Sequence, residues 1–334
     1  MTIDEMARDL GVSKSTISRA LSGKGRIGEE TRQRIRNYAK ENDFTPKTSI
    51  RLNRAQTRNI GIVISSDAYA ASIPFFQDCL FGVCEAALLQ EYNVLITTRT
   101  DYDITGIQTL VEKKKVDGII LTRSMEDDRA LKYLTGLDFP VGVTGTCSNN
   151  NVIQVDCDNR AASESLTSIL IGRGYRRFAM ILGNLAYSVN RRRSEGVRNA
   201  IEKSGLIAEQ QIFYTGFEKV DFIDNIIGEI MSRKVECIIC GDDVICTKIM
   251  SRLQAEGYRI PMDISVASLY NSSNLNCFSP AITTVNISAR EVGNVIGKQM
   301  INYLSGNEYV PKSILEYDIL FRKSTIMTYN GRGG

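Results

Sequence analysis

At 334 residues the chain exceeds one ordinary core, and with 43% hydrophobic and 24% charged residues it reads as a globular protein of a small module plus one or two larger lobes. Histidine is absent, which excludes Ser/His hydrolysis, His-ligated metal and His acid–base catalysis from this chain's own side chains. The net charge of +3 is unevenly spread: residues 1–60 hold 13 Lys/Arg against 7 Asp/Glu and the remainder 28 against 31, so a polyanion is the expected partner of the N-terminal end alone. No apolar run reaches 18 residues, and Met1 leads into an acidic amphipathic stretch rather than a basic and then apolar signal region. The expectation is a cytoplasmic protein with no membrane partner. Eight cysteines, scattered through apolar patterns, are expected to be reduced core thiols.

In chain order, Thr2 to Glu5 has capping-box spacing, and Ile3, Met6, Ala7 and Leu10 follow at helical intervals, predicting a helix over about 3–10. Gly11 can end it in the left-handed conformation, Val12 plugs the corner, and Ser13 can cap a second helix that turns Ile17, Ala20 and Leu21 inward. A third helix, about 29–42, offers Thr31, Ile35, Tyr38 and Ala39 to the same small core. The outward residues at the start of the second helix are then Lys14, Ser15, Ser18 and Arg19. Short hydroxyls permit close approach to a phosphate-lined groove, and the two bases can donate to guanine edges, so this helix suits double-stranded DNA. A three-helix protein-binding module with a solvated polar face is the bland alternative.

The stretches "TIDEMARDLGVSKSTISRALSG" and "EETRQRIRNYAKENDFTP" resemble the DNA-binding headpiece of the lactose/galactose repressor (LacI/GalR) family, and the resemblance continues through the whole chain. It implies base reading by Lys14, Ser15 and Arg19. Residues 46–59 then form a hinge linker that carries Lys47, Arg51, Arg54 and Arg58 and no acid. The resemblance implies that this linker folds only on the operator and that Leu52 wedges into the minor groove; a disordered basic tether is the alternative for the free protein.

From Ile60 onward, apolar runs such as "IGIVIS", "NVLITT" and "DGIILT" alternate with amphipathic helical patterns, and the rhythm restarts after Asp158 with "RRFAMIL", "QIFYT", "ECIIC" and "DISVASL". In the first body helix Phe76, Cys79, Leu80, Val83, Cys84, Ala87 and Leu88 share one stripe. Later helices are expected near 104–114, 159–172, 192–204 and 243–256. The fold class expected is α/β: an all-α helix-turn-helix headpiece (1–45) and two Rossmann-like parallel-sheet lobes (60–334) of the type I periplasmic-binding-protein-like fold, clam-shelled around one ligand. Lobe one is set at about 60–158 and 287–321, and lobe two at about 159–286 and 322–330, with crossovers near 158, 286 and 321. GxxxxGK[ST] does not occur, the one GxGxxG (Gly23 to Gly28) lies between two predicted helices and follows no strand, and Cys237-x-x-Cys240 lies in a predicted strand with no second pair, so no cofactor and no metal are expected.

Ligands bind beyond the carboxyl ends of parallel strands. The loops there hold Asp67, Phe75, Phe76, Tyr187, Arg193, Phe217, Asp242, Tyr270 and Asn271, of which Phe75, Phe76, Arg193, Phe217, Asp242, Tyr270 and Asn271 are the effector-binding candidates. The resemblance matches Arg193 to the Arg of R-x-x-G, Asp242 to the Asn of A-N-D and Phe217 to a ring over the ligand. Two departures accompany it: "GDD" replaces "AND", and "VASLYN" sets Tyr270 where an Asp that often holds sugar hydroxyls is usual. The expected function is a ligand-responsive repressor, not an enzyme, that binds a pseudo-palindromic operator as a homodimer and a sugar or other small polar metabolite as effector. The residues up to "YNGRGG" hold no heptad tail, so nothing argues for a tetramer. A solute-binding protein with the same body is the alternative, although it needs a secretion signal and no basic headpiece. An α/β enzyme would need a phosphate loop or a paired acid and base.

Overall fold

The computed structural model describes residues 3–22, 27–42, 56–67, 72–217 and 223–326. These fall into two compact units, one of residues up to 57 with Asn302–Tyr309, the other of Arg58–Ile301 with the residues from Val310 on. In the first unit, helices α1 (Ile3–Asp9), α2 (Lys14–Ser22) and α3 (Glu29–Glu41) share a core of Met6, Ala7, Ile17, Ala20, Ile35 and Ala39. Gly11 has φ of +65°, the conformation the turn between α1 and α2 requires. The Ser13 hydroxyl accepts from the Thr16 backbone N–H at 3.1 Å and so caps α2. Tyr38 Oη donates to Asp9 at 2.8 Å, and Arg34 donates to the Leu10 carbonyl at 2.8 Å, tying α3 to the turn. Thr31 is half-buried at the margin of this core.

The second unit holds two six-stranded sheets. In the first, β1 (Asn59–Ser65), β2 (Asn93–Arg99), β3 (Gly118–Leu121), β4 (Val141–Thr144), β5 (Ile153–Cys157) and β11 (Lys312–Leu315) run parallel in the order β11-β5-β4-β3-β1-β2. The second sheet contains β6 (Phe178–Ile181), β7 (Ile212–Tyr214), β8 (Cys237–Cys240), β9 (Ser265–Ser268), β10 (Thr283–Asn286) and β12 (Asp318–Leu320), in the order β12-β10-β9-β8-β6-β7. Only β12 is antiparallel among these paired strands, against β10. Helices cover the sheets, so central strands such as β3 and β8 are buried along their whole length and read as unbroken apolar runs. The chain crosses between the sheets after Cys157, after Asn286 and after Leu315. The third crossing precedes the expected 321, because Asp318 already pairs with Asn286 in the second sheet.

The body helices are α4 (Pro74–Leu88), α5 (Thr105–Glu112), α6 (Arg129–Gly136), α7 (Asn159–Gly172), α8 (Ser188–Lys203), α9 (Ile223–Ser232), α10 (Asp243–Ala255), α11 (Ser273–Asn276) and α12 (Ala289–Leu304). On α4 the buried stripe is Phe76, Cys79, Gly82, Val83, Ala86 and Ala87, while Leu88 is 78% exposed, a rotation from the expected stripe. Close packing on α12 causes it: a Cβ on Gly82 would lie 2.0 Å from the Arg290 carbonyl oxygen, and one on Gly293 would lie 2.0 Å from that of Cys79. Small residues, not the largest apolar ones, therefore face the crossing. The eight cysteines are all free thiols, and Cys237 and Cys240 are core residues of β8.

Candidate functional site

Two surfaces carry the chemistry the residues suggest. On α2, Lys14, Ser15 and Arg19 are exposed, with Ser15 and Arg19 one turn apart on one face, while Ile17 and Ala20 are buried. Ser13 Oγ lies 2.8 Å from both Ser15 Oγ and Thr16 Oγ1, which holds the first turn in a hydroxyl cluster. Ser18 belongs to the same helix. Leu52 lies outside the described residues.

The second surface is a cavity with about 810 Å³ of empty space, counting solvent at its mouth, formed at the carboxyl ends of strands from both sheets. Phe75, Phe76, Arg193, Asp242 and Tyr270 line it. Arg193 is buried on the second turn of α8; its Nη1 donates to the Gly241 carbonyl at 2.7 Å and its Nε to Asn159 Oδ1 at 3.2 Å. Asp242 caps α10 by accepting from the Ile245 N–H at 2.9 Å, so one carboxylate is fixed at the positive end of that helix. Phe75 meets Phe76 edge-on at 5.6 Å and Tyr270 at 5.9 Å, forming an aromatic wall.

Further lining residues sit where β3, β4 and β5 end, loops the sequence reading passed over. Arg123 stacks on the Tyr187 ring at 3.7 Å and pairs with Asp67 at 3.2 Å, a use for two of the loop residues singled out earlier. Ser124 and Ser188 join their hydroxyls across the lobes, and a Cβ on Gly145, whose φ is +110°, would collide with Ser124 Oγ at 2.4 Å. Asp156, at the end of β5, lines the cavity, and its burial pushes the carboxyl up to about 6, against the lowering pull of the Cys157 N–H, Arg192 and Arg193. The strand-end rule that picked Phe75 and Asp242 would have found Asp156 had it been applied to every strand of lobe one.

Two expected effector contacts lie elsewhere. Phe217 is buried in the lobe-two core with Ile227, Ile245 and Met250 and is not among the cavity's lining residues. Gly216, at φ +78°, turns the chain after β7, and the Phe217 N–H donates to the Leu182 carbonyl at 3.1 Å, which directs the ring inward. Asn271 is also absent from the lining: its Oδ1 accepts from Arg322 at 3.1 Å and its Nδ2 donates to Asn286 at 3.1 Å, so it braces the loop after β9 against the second crossing.

The profile described as bacterial regulatory proteins, lacI family, matches residues 2–47, and that of a periplasmic binding protein-like domain matches residues 167–325. The transcriptional regulator RegA of Clostridium saccharobutylicum is 26% identical over 97% of this chain and 99% of its own. MalR of Staphylococcus xylosus is 29% identical over 95% of this chain and 97% of its own. The chain belongs to the LacI family of transcriptional regulators. Its fold is similar to that of the regulator CelR in complex with cellobiose, with a TM-score of 0.74 at 23% identity over 97% of this chain and 99% of that one. As a LacI-family member it is a sequence-specific DNA-binding regulator that responds to a small molecule, acts as a homodimer and works by binding, not catalysis. Among the described residues of this family member, no helix is long and apolar enough to cross a membrane.

Proposed function

We propose that this regulator represses transcription from a pseudo-palindromic operator, with α2 in the major groove and an effector in the interlobe cavity controlling release or binding. Lys14, Ser15, Ser18 and Arg19 are the base- and phosphate-facing set, and Leu52 of the linker is the minor-groove wedge. Phe75, Phe76, Arg193, Asp242 and Tyr270 hold the effector. The observation that carries this reading is the cavity itself, where a buried guanidinium, two aspartates and an aromatic wall converge at the carboxyl ends of both sheets. Such a lining offers a face to stack on and fixed polar groups around the rim, as a small polar metabolite requires. The bound cellobiose of the similar CelR structure supports the same class of occupant.

The test is fluorescence anisotropy with the intact chain, its Lys14→Ala and Arg19→Ala variants, and DNA from upstream of its own gene, at two salt concentrations. The expected result is salt-dependent, sequence-preferring binding that each substitution weakens by about 1–3 kcal/mol. Binding of equal strength to every fragment, unchanged in both variants, overturns the reading.

A further inference from the structure

Asp156 combines three features that the regulator reading does not use. Its Oδ1 accepts from the Cys157 N–H at 2.8 Å and from Asn159 Nδ2 at 3.0 Å, which fixes the carboxyl at the end of β5. Its Oδ2 has no hydrogen-bond partner among the described residues, although the side chain lines the cavity. The cations facing it, Arg192 and Arg193 from α8, form no ion pair with it, and Arg193 is committed to Gly241 and Asn159. On its own segment stand Asp158, which adds repulsion, and the Cys157 thiol, itself pushed up to about 12 by burial.

Asp156 is half-buried, so the Oδ2 that opens to the cavity is left for a ligand, and a donor supplied there, where few waters compete, adds affinity. We propose that Asp156 determines specificity in this cavity by taking an O–H or N–H donor from a non-acidic effector, so that hydroxylated or aminated molecules are selected over sugar phosphates, uronates and nucleotides. This rests on the reading of the cavity as the effector site. An acidic effector would set a second anion against a carboxylate that already lacks a contacting cation. The aromatic wall of Phe75 and Tyr270 supplies the apolar face, leaving Asp156 as the polar anchor. Because the carboxyl must be ionised to accept fully, binding of a neutral donor strengthens as pH rises through about 6.

The experiment is isothermal titration of the full-length protein with cellobiose, maltose, glucosamine, glucose 6-phosphate and glucuronate, at about pH 5 and about pH 8. It is repeated for Asp156→Asn and Asp156→Glu, each first shown to melt cooperatively. At least one non-acidic probe is expected to bind, with affinity about 10-fold lower at the acid pH and about 10-fold lower in Asp156→Asn, whose pH profile flattens. Asp156→Glu retains the pH dependence. Binding of cellobiose or maltose identifies a hydroxyl donor, and selective binding of glucosamine identifies an ammonium. Tighter binding of an acidic probe, a non-acidic probe that ignores Asp156→Asn, or no binding by any non-acidic probe each overturns the proposal. Parallel anisotropy on operator DNA separates the two failures: release by an acid leaves the effector site standing and removes only the role of Asp156, whereas absence of specific DNA binding removes the regulator reading.

Discussion

Asp243 stands one residue beyond the aspartate that caps α10, yet its situation is opposite. Asp242 has a backbone N–H to hold, whereas both Asp243 carboxylate oxygens are buried with no hydrogen-bond partner among the described residues. Burial pushes its carboxyl up to about 6, the Asp242 charge adds to this, and the Ser272 hydroxyl pulls the other way without reaching hydrogen-bond geometry. An unfolded aspartate titrates near 3.9, so between about pH 4 and pH 6 the folded chain binds more protons than the unfolded one. The contribution of Asp243 to stability is therefore present at low pH and lost as pH rises through about 6. Asp243→Asn is expected to stabilise the protein by about 1–2 kcal/mol at neutral pH, with the gain vanishing near pH 4. Urea unfolding of both proteins across that range measures it; a variant less stable at neutral pH would show that the ionised form is needed. At this scale the sequence is a partial guide. The motif spacing singled out Arg193 and Asp242, both of which line the cavity, because each sits at a fixed offset from a helix start or strand end. Phe217 and Asn271 sit at equally suggestive offsets, but a positive φ at Gly216 and the reach of Arg322 decided where they point, and neither is encoded locally.

Between elements, the loop after β3 and the start of α8 form a strap between the lobes, to which the lining residues Arg123, Ser124 and Ser188 belong. Met125 pairs with Tyr187 as an isolated bridge, the Ser188 N–H donates to the Ser124 carbonyl at 3.1 Å, Arg191 pairs with Glu126 at 2.8 Å, and Arg123 covers the Tyr187 ring. This strap explains why α8 begins at Ser188 and not at Arg192, where the amphipathic pattern starts. Its first turn is ordered by a partner 64 residues away in sequence, through the Ser124 to Ser188 contact, a distance no local pattern spans. The β-α alternation was legible for β1, β2, β3, β6, β7, β8 and β9, whose sequences lie in or beside apolar runs, whereas β10, with its threonines, and the short edge strands β11 and β12 carry no such signal. The exposed Arg191–Glu126 pair contributes little on its own, about 0–1 kcal/mol. The Arg123 stack, with its side chain mostly withdrawn from water, is the stronger part. Arg123→Ala is expected to shift the lobes toward an open arrangement, raising the radius of gyration in small-angle scattering and weakening a cavity ligand by about 10-fold. Unchanged scattering together with unchanged affinity would mean that the crossings alone hold the lobes.

At the scale of the whole molecule, a homodimeric regulator needs a face for its second copy, and lobe one offers one. Leu88 and Leu89 are each 78% exposed at the end of α4, Phe81 is 45% exposed one face away from the α12 crossing, and Ile96 is 56% exposed on β2, the free edge of the first sheet. Edge strands and contiguous apolar surface are costly to leave in water, and a second copy covers both. The glycine-lined contact with α12 is what turns these leucines outward: the small side of α4 faces inward, so the large side is left over. Leu88→Lys combined with Leu89→Lys therefore places two charges on the expected interface without touching either core. The sedimentation coefficient of the variant should fall to that of a monomer. Operator binding should weaken by about 100-fold or more, because each headpiece then binds its half-site without the gain in effective concentration from its twin. The melting curve of the variant, measured at a concentration where both proteins are monomeric, should match the parent's. A dimer that survives both lysines would move the interface to another face, and a lower monomer melting temperature would mean that the two leucines pack within their own subunit.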